Sequence, residues 1–184
     1  MNEVAALRAA LPGTRVSRAI GAAVAVTVLT AWFNGGYLHP DEHWQILQFA
    51  WHKLGHVPAS SLPWEFAAQV RAGFQPWIAA GLIAGFERVG LFNPFFTAFL
   101  LRLAAGLLGL WVALRLCRWL LPAIRGEAYR RLAFYGTLFL WMAPILRTRF
   151  SAESVGGSLA FLGVTLLIDA DQARREAGRA EAGR

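Results

Sequence analysis

One short segment concentrates the side chains of this chain that could carry acid–base chemistry. Residues 35–56 contain two adjacent carboxylates and all four histidines of the protein: Asp41, Glu42, His39, His43, His52 and His56. A carboxylate placed beside a substrate hydroxyl can act as a general base, and histidines can bind either a substrate or a metal ion. The segment follows directly on an apolar stretch, so its chemistry would take place at a membrane surface.

The spacing of the histidines argues against a built metal centre. His39 and His43 lie four residues apart, as do His52 and His56, but Pro40 and Gly55 interrupt the two intervals. Neither pair therefore has the regular helical frame of an H-E-x-x-H zinc site. We predict no metal and no cofactor, and we take the histidines as substrate contacts or interfacial residues. A metal-dependent membrane enzyme is the less favoured alternative.

The same segment predicts an amphipathic helix at the interface. Pro40 suits the first helical turn, where its missing N–H costs nothing, and the helix dipole favours Asp41 and Glu42 there. Two faces follow at helical spacing, an apolar one with Trp44, Leu47, Trp51 and Leu54 and a polar one with Asp41, Gln45, Gln48 and His52. The alternative is that the two carboxylates only cap the helix.

Composition places the chain in a membrane. It has 184 residues, of which 57% are hydrophobic, and a mean hydropathy of +0.44. Soluble domains usually contain about 45–50% apolar residues. The net charge of +7 sits mainly at the ends of apolar blocks, which fits cytoplasmic anchoring and predicts no nucleic-acid partner. The single Cys117 excludes an intrachain disulfide and is predicted to be a core residue.

The apolar blocks predict an all-α integral membrane protein organised as one module over residues 1–184. Candidate spans are residues 17–34, 95–121, 131–147 and 154–168, and the tail 169–184 is predicted to be a frayed helix or disordered. Residues 76–90 are too short for a span and suit an interfacial or re-entrant helix, so four crossings are favoured and five are the alternative. Residues 19–33 could be a signal peptide, but no A-x-A site ends the run, which favours an uncleaved span.

Arginine placement predicts which loops share a side of the membrane. With four crossings, the arginines between residues 115 and 131 and those of the tail fall in the cytoplasm, as the positive-inside rule requires. The loop 35–94, with its predicted interfacial helices, and the turn 147–154 then lie outside, and both carry polar residues. Glu65, Arg71, Arg147 and Arg149 stand in these loops. They could bind a phosphate through guanidinium groups, or they could form exposed ion pairs and snorkel at a span end.

These motifs together resemble the Alg9-like mannosyltransferase family. The family's HPDE-type motif after the first span corresponds to residues 39–42, and its TWE-type motif to residues 63–65, with Pro63 in place of the usual Thr. An arginine followed by a proline corresponds to Arg71 and Pro76. The later LRTRFSAES, residues 146–154, looks like the family's RT-x-S-x-S-x-E element. The resemblance covers about residues 30–155.

The resemblance implies a clan C glycosyltransferase fold and a polyprenyl-phosphate-sugar donor, used with inversion at the anomeric carbon. Asp41 would be the catalytic base, with Glu42 orienting it or the acceptor. Predicted substrate-binding residues are His39, His43, Trp64, Glu65, Arg71 and Arg149. Members of the family are much longer than 184 residues. The chain is therefore expected to be a truncated or split form, or to need a second chain that supplies C-terminal helices.

A rival hypothesis treats the chain as a small non-catalytic membrane protein that binds lipid or a partner through its outer loop. In that case the outer tryptophans, Trp64 among them, would form only a membrane-interface belt. For either function the chain is predicted to be a multi-pass integral membrane protein. A bacterial inner membrane is favoured, with the endoplasmic reticulum membrane as the alternative for a eukaryotic source.

Overall fold

The structure is a computed structural model that describes residues 3–34 and 42–182, except the side chains of His43 and Ala182. Every regular element in these ranges is helical. The α-helices are α1 (Glu3–Ala10), α2 (Val16–Phe33), α3 (Gln48–Lys53), α4 (Trp64–Ala67), α5 (Phe74–Arg88), α6 (Pro94–Leu120), α7 (Glu127–Phe139), α8 (Met142–Arg147) and α9 (Ala152–Ala182). A π-helical turn, Glu42–Leu47, leads directly into α3, and short 3₁₀ turns occupy Ala59–Ser61 and Leu121–Ala123.

Three of the described helices are long and apolar enough to cross a membrane: Val16–Phe33, Pro94–Ala123 and Ala152–Glu181. They match the first, second and fourth predicted spans. Helix α6 starts cleanly because the Asn93 side chain accepts hydrogen bonds from the N–H groups of Phe95 and Phe96, while Pro94 occupies the first turn. Helix α9 continues past the predicted end at residue 168 through the predicted tail, whose Ala, Glu and Arg are strong helix formers.

The predicted third span, residues 131–147, is not one continuous helix. It is divided into α7 and α8, with Leu140 and Trp141 between them. Pro144 explains the break, since its ring clashes with the carbonyl group of Leu140 and it has no N–H to bond that oxygen. The N–H of Ala143 bonds the Leu140 oxygen instead, at 2.7 Å.

The divided segment nevertheless runs from one end of α2 to the other. Near its start, Arg131 donates a hydrogen bond to the backbone oxygen of Pro12, 3.1 Å away and just before α2. Just beyond its end, Arg149 donates to the side chain of Asn34, the residue that ends α2. Helices α7 and α8 therefore follow the length of a membrane-spanning helix between them.

The predicted interfacial helix is present from Glu42, but its faces differ from the prediction. Ile46, Phe49 and Ala50 are buried, together with Gln45, which was expected on the polar face. Trp44 and Trp51 lie on the exposed side, where an interfacial helix meets lipid. The π-helical turn is the reason, because its i→i+5 bonds add residues to the turn and shift every later side chain around the axis.

Two clusters of buried apolar side chains hold the described helices together. One joins α1, α2, α6 and α7 through residues that include Leu11, Leu110, Phe134 and the predicted core residue Cys117. The other joins the segment 42–53 to α5 and α6, through Ile46, Ala50, Ala79, Ala80, Ile83 and Leu101. Helix α5, the ambiguous segment 76–90 of the sequence, is thus packed on the interfacial helix. With 15 residues it is only about 22 Å long, against about 30 Å for a bilayer core.

Candidate active site

The candidate site is centred on an ion pair between Glu42 and Arg149. Nη1 of Arg149 lies 3.5 Å from Oε2 of Glu42, and the two side chains are only 7% and 12% exposed, respectively. Nη2 of Arg149 donates a second hydrogen bond, of 2.8 Å, to Oδ1 of Asn34. One guanidinium group thus holds a residue on each side of the segment 35–41, which contains the predicted general base.

Local structure on both sides fixes Arg149. Before it, the Thr148 hydroxyl bonds the Pro144 and Ile145 carbonyl oxygens and accepts a long 3.5 Å bond from Asn34. After it, the backbone oxygen of Ser151 accepts a 3.1 Å bond from Gln75 of α5. The backbone that carries Arg149 is therefore anchored to three separate helices, α2, α8 and α5.

Arg102 of α6 is a second cation at this site, and it interacts electrostatically with both Glu42 and Arg149. Sequence reasoning missed it. The signal was nevertheless present, because Arg102 interrupts the long apolar run of the second span. Charged residues inside spanning segments are costly and usually face a partner or a cavity.

A second polar group lies one helical turn further along the interfacial helix. Gln45 donates a 3.3 Å hydrogen bond to Oε1 of Glu65, and Arg71 approaches the same oxygen at 3.9 Å. At that distance, and with Arg71 partly exposed, the ion pair contributes less than about 1 kcal/mol. Among the described residues no hydrogen bond reaches Oε2 of Glu65, although that atom is buried. Glu65 therefore keeps an acceptor available in a buried position.

Two cavities of similar size meet at Glu42, which lines both. The first, of about 420 Å³, is mostly apolar, with Arg102 and Glu42 as its charged lining residues; its apolar walls include Trp32, Trp51, Phe92, Phe95, Leu101 and Phe150. The second, of about 410 Å³, is mainly polar and includes Gln45, Arg71, Gln75, Arg149, Ser151, Glu153 and Ser154. The arrangement offers a greasy chamber and a hydrogen-bonding chamber that share one carboxylate wall.

A sequence profile of the Alg9-like mannosyltransferase family matches residues 19–178, which is most of the chain. The chain belongs to this family. No curated protein and no solved structure matches it. The matched range includes both the HPDE motif and the LRTRFSAES element, whose residues Glu42 and Arg149 the fold brings into contact. The Alg9-like family is thus represented here by an all-helical protein with membrane-spanning helices, and membership indicates a glycosyltransferase.

The predicted site residues fall into three groups in this Alg9-like chain. Glu42 and Arg149 form the central pair, and Glu65 and Arg71 form the second group, with Arg71 lining the polar cavity. Trp64 is 71% exposed and lines neither cavity. The remaining three, Asp41, His39 and the side chain of His43, lie outside the described residues.

The other two histidines have structural partners. Nδ1 of His52 donates a 2.9 Å hydrogen bond to the Val57 carbonyl oxygen, and Nε2 of His56 lies 2.8 Å from a carboxylate oxygen of Glu87. Within the part of the chain that the structure describes, no group of three or more side chains is arranged to hold a metal ion. Besides Arg102, sequence reasoning missed Asn34, Gln45 and Gln75, whose neutral amides gave no signal at the sequence level.

Proposed function

We propose that this chain forms the outer site of a membrane mannosyltransferase, which transfers mannose from a polyprenyl-phosphate-mannose donor to an acceptor hydroxyl. The observation that carries the proposal is the position of Glu42. It is the residue after Asp41 in the chain, it pairs with an arginine, and it forms the shared wall of an apolar and a polar cavity. A lipid-linked sugar has an apolar and a polar part, and the two cavities suit them respectively.

In this reaction Asp41 takes the proton of the acceptor hydroxyl as that oxygen forms a bond to the anomeric carbon of mannose. The bond from this carbon to the donor phosphate breaks, and polyprenyl phosphate leaves. A phosphate leaving group needs little protonation, so one carboxylate and cationic stabilisation suffice. We assign the phosphate to Arg102, which lines the apolar cavity, and to Arg71, which lines the polar one.

The other predicted residues have supporting roles in the proposal. Glu42 orients the segment that carries the base. His39 and His43 stand close to Asp41 in sequence and are proposed to contact the acceptor. Trp64 and Glu65 complete the outer loop as sugar contacts, and the buried Oε2 of Glu65 supports such a role because it can accept a sugar hydroxyl.

We also propose four membrane crossings. The path of α7 and α8 supports this count, since together they run from one end of α2 to the other. The proposed topology puts residues 35–94 and the turn before α9 outside, and residues 122–130 and the end of α9 in the cytoplasm. The membrane is a bacterial inner membrane, or the endoplasmic reticulum membrane in a eukaryote. A second chain that adds further helices belongs to the same proposal.

The test is sugar transfer from polyprenyl-phosphate-mannose in membranes, with protein amount normalised. Asp41→Asn keeps the size of the side chain and removes its basicity, so turnover should fall by about 10²–10⁴-fold. Glu42→Gln keeps a hydrogen bond to Arg149 and should be milder. Equal turnover of Asp41→Asn and the wild type would reduce Asp41 to a helix-start residue. Absence of transfer by the wild-type chain, both by itself and with any copurifying chain, would contradict the proposed enzyme.

A further inference from the structure

The contacts of Arg149 differ from those expected of a phosphate-binding arginine. Its two terminal nitrogens each face a side chain of the protein, Asn34 at 2.8 Å and Glu42 at 3.5 Å. These two residues flank the seven residues 35–41 in the sequence. Such a stretch can reach roughly 23–25 Å when extended. In the structure both of its flanking residues are instead held against one guanidinium group.

The chemistry of the contact favours a lasting clamp. Hydrogen bonds from a guanidinium group to a carboxylate are charge-assisted and about twice as strong as neutral ones. Arg149 is 93% buried by its side-chain exposure of 7%, so water competes little for these bonds. The rigid planar fork of arginine presents two donors in different directions, which the single ammonium group of lysine cannot reproduce.

We propose that Arg149 is a positioning residue that closes the segment 35–41 into a loop and so sets the place of Asp41 between the two cavities. The catalytic part of this inference rests on the proposed function, whereas the closure of the loop does not. The anchored backbone around Arg149 supports the role. Thr148 is fully buried against α6, and Gln75 holds Ser151, so the guanidinium group is presented from a fixed base.

A cysteine reporter tests loop closure without any need for activity. Gly36→Cys is placed in a Cys117→Ala background, and the rate of modification by a small soluble maleimide is measured in membranes. Arg149→Gln should raise this rate by about tenfold, the equivalent of one lost charge-assisted hydrogen bond. Asn34→Ala, which removes only one of the two anchors, should raise it less. Arg175→Gln, which removes an exposed ion pair on α9, is the control and should leave it unchanged.

The two anchors should also act as a unit. Adding Asn34→Ala to Arg149→Gln should accelerate modification no further, because the single change has already released that end of the loop. Full additivity, or an unchanged rate in Arg149→Gln, would overturn the inference. Tryptophan fluorescence and gel filtration check that each variant is folded, and Asn34→Ala keeps the test decisive should Arg149→Gln fail to fold.

Transfer kinetics separate positioning from phosphate binding. Arg149→Gln should lower kcat with little change in the donor KM, and Arg149→Lys should rescue little. Arg71→Gln, which alters a proposed phosphate contact, should instead raise the donor KM. A raised donor KM in Arg149→Gln without faster cysteine modification would make Arg149 a phosphate ligand and overturn the inference. Faster modification in a wild-type background that transfers no sugar would support loop closure while contradicting the proposed function.

Discussion

Gly106 of α6 is where the fold should be least tolerant of one added methyl group. A Cβ atom at this position would lie 2.7 Å from the Cγ2 methyl of Thr27 on α2 and 2.8 Å from that of Thr148, just after α8. Both threonines are fully buried. Gly106 thus lets three segments approach closely, and one of them carries Arg149. We expect Gly106→Ala to destabilise the protein.

The magnitude follows from how little the threonines can move. The Thr27 hydroxyl bonds the Ala23 oxygen at 2.8 Å, and the Thr148 hydroxyl bonds the Pro144 and Ile145 oxygens. Rotating either methyl away would break those bonds, so the helices must separate instead. Overpacking costs about 1–3 kcal/mol, and alanine regains about 0.5–1 kcal/mol of helix propensity. The net loss should therefore be about 0.5–2 kcal/mol, with a lower thermal midpoint.

The assay is thermal unfolding in detergent, followed by tryptophan fluorescence. Gly163→Ala is the matched control, because Gly163 also lies in a spanning helix but has nothing within 4 Å of its Cβ position. It should be neutral or stabilising by up to about 1 kcal/mol. Adding Thr27→Ser to Gly106→Ala removes one clashing methyl and should restore part of the loss. If Gly106→Ala behaves like Gly163→Ala, the reasoning about close approach at α6 is refuted.

Two further predictions concern topology and the cytoplasmic end. In a Cys117→Ala background, Ala123→Cys should resist an impermeant maleimide added from outside, whereas Ser61→Cys should react; external labelling at residue 123 would contradict four crossings. Arg115→Gln should cost roughly 1.5–3 kcal/mol, because its 9% exposed guanidinium group bonds Glu3, Thr165 and Asp169 across three helices. Arg175→Gln should change stability by less than about 1 kcal/mol in the same unfolding assay, since that pair is exposed.

The fold was predictable where length and hydropathy decide it. The first, second and fourth apolar blocks became long helices because burial in lipid leaves each backbone group only an intrahelical partner. The third block was harder, since hydropathy is blind to the steric effect of Pro144 on Leu140. The π-helical turn at residues 42–47 was also invisible, because its sequence can follow either helical period. That one turn decided which side of the interfacial helix became buried.

The site was predictable only in part, because its contacts join residues far apart in sequence. Motif and charge pointed to Glu42 and Arg149 separately, but their pairing depends on α8 ending against α2 and α6. Asn34 gave no signal, since an amide at a helix end has many ordinary explanations. Arg102 could have been found, as a lone charge in an apolar run needs a partner or a cavity.

The two-cavity geometry also bears on the stereochemistry of the proposed reaction. Inversion requires the acceptor hydroxyl and the leaving phosphate to lie on opposite faces of the sugar ring. Cavities on two sides of Glu42 fit that requirement better than one shared chamber, since the lipid phosphate and the acceptor would then approach from different directions. Because Arg149 fixes Glu42 between the cavities, the same clamp that closes the segment 35–41 would also keep the two approaches separate. Stability of this small buried pair and selectivity of the proposed transfer therefore depend on the same guanidinium group.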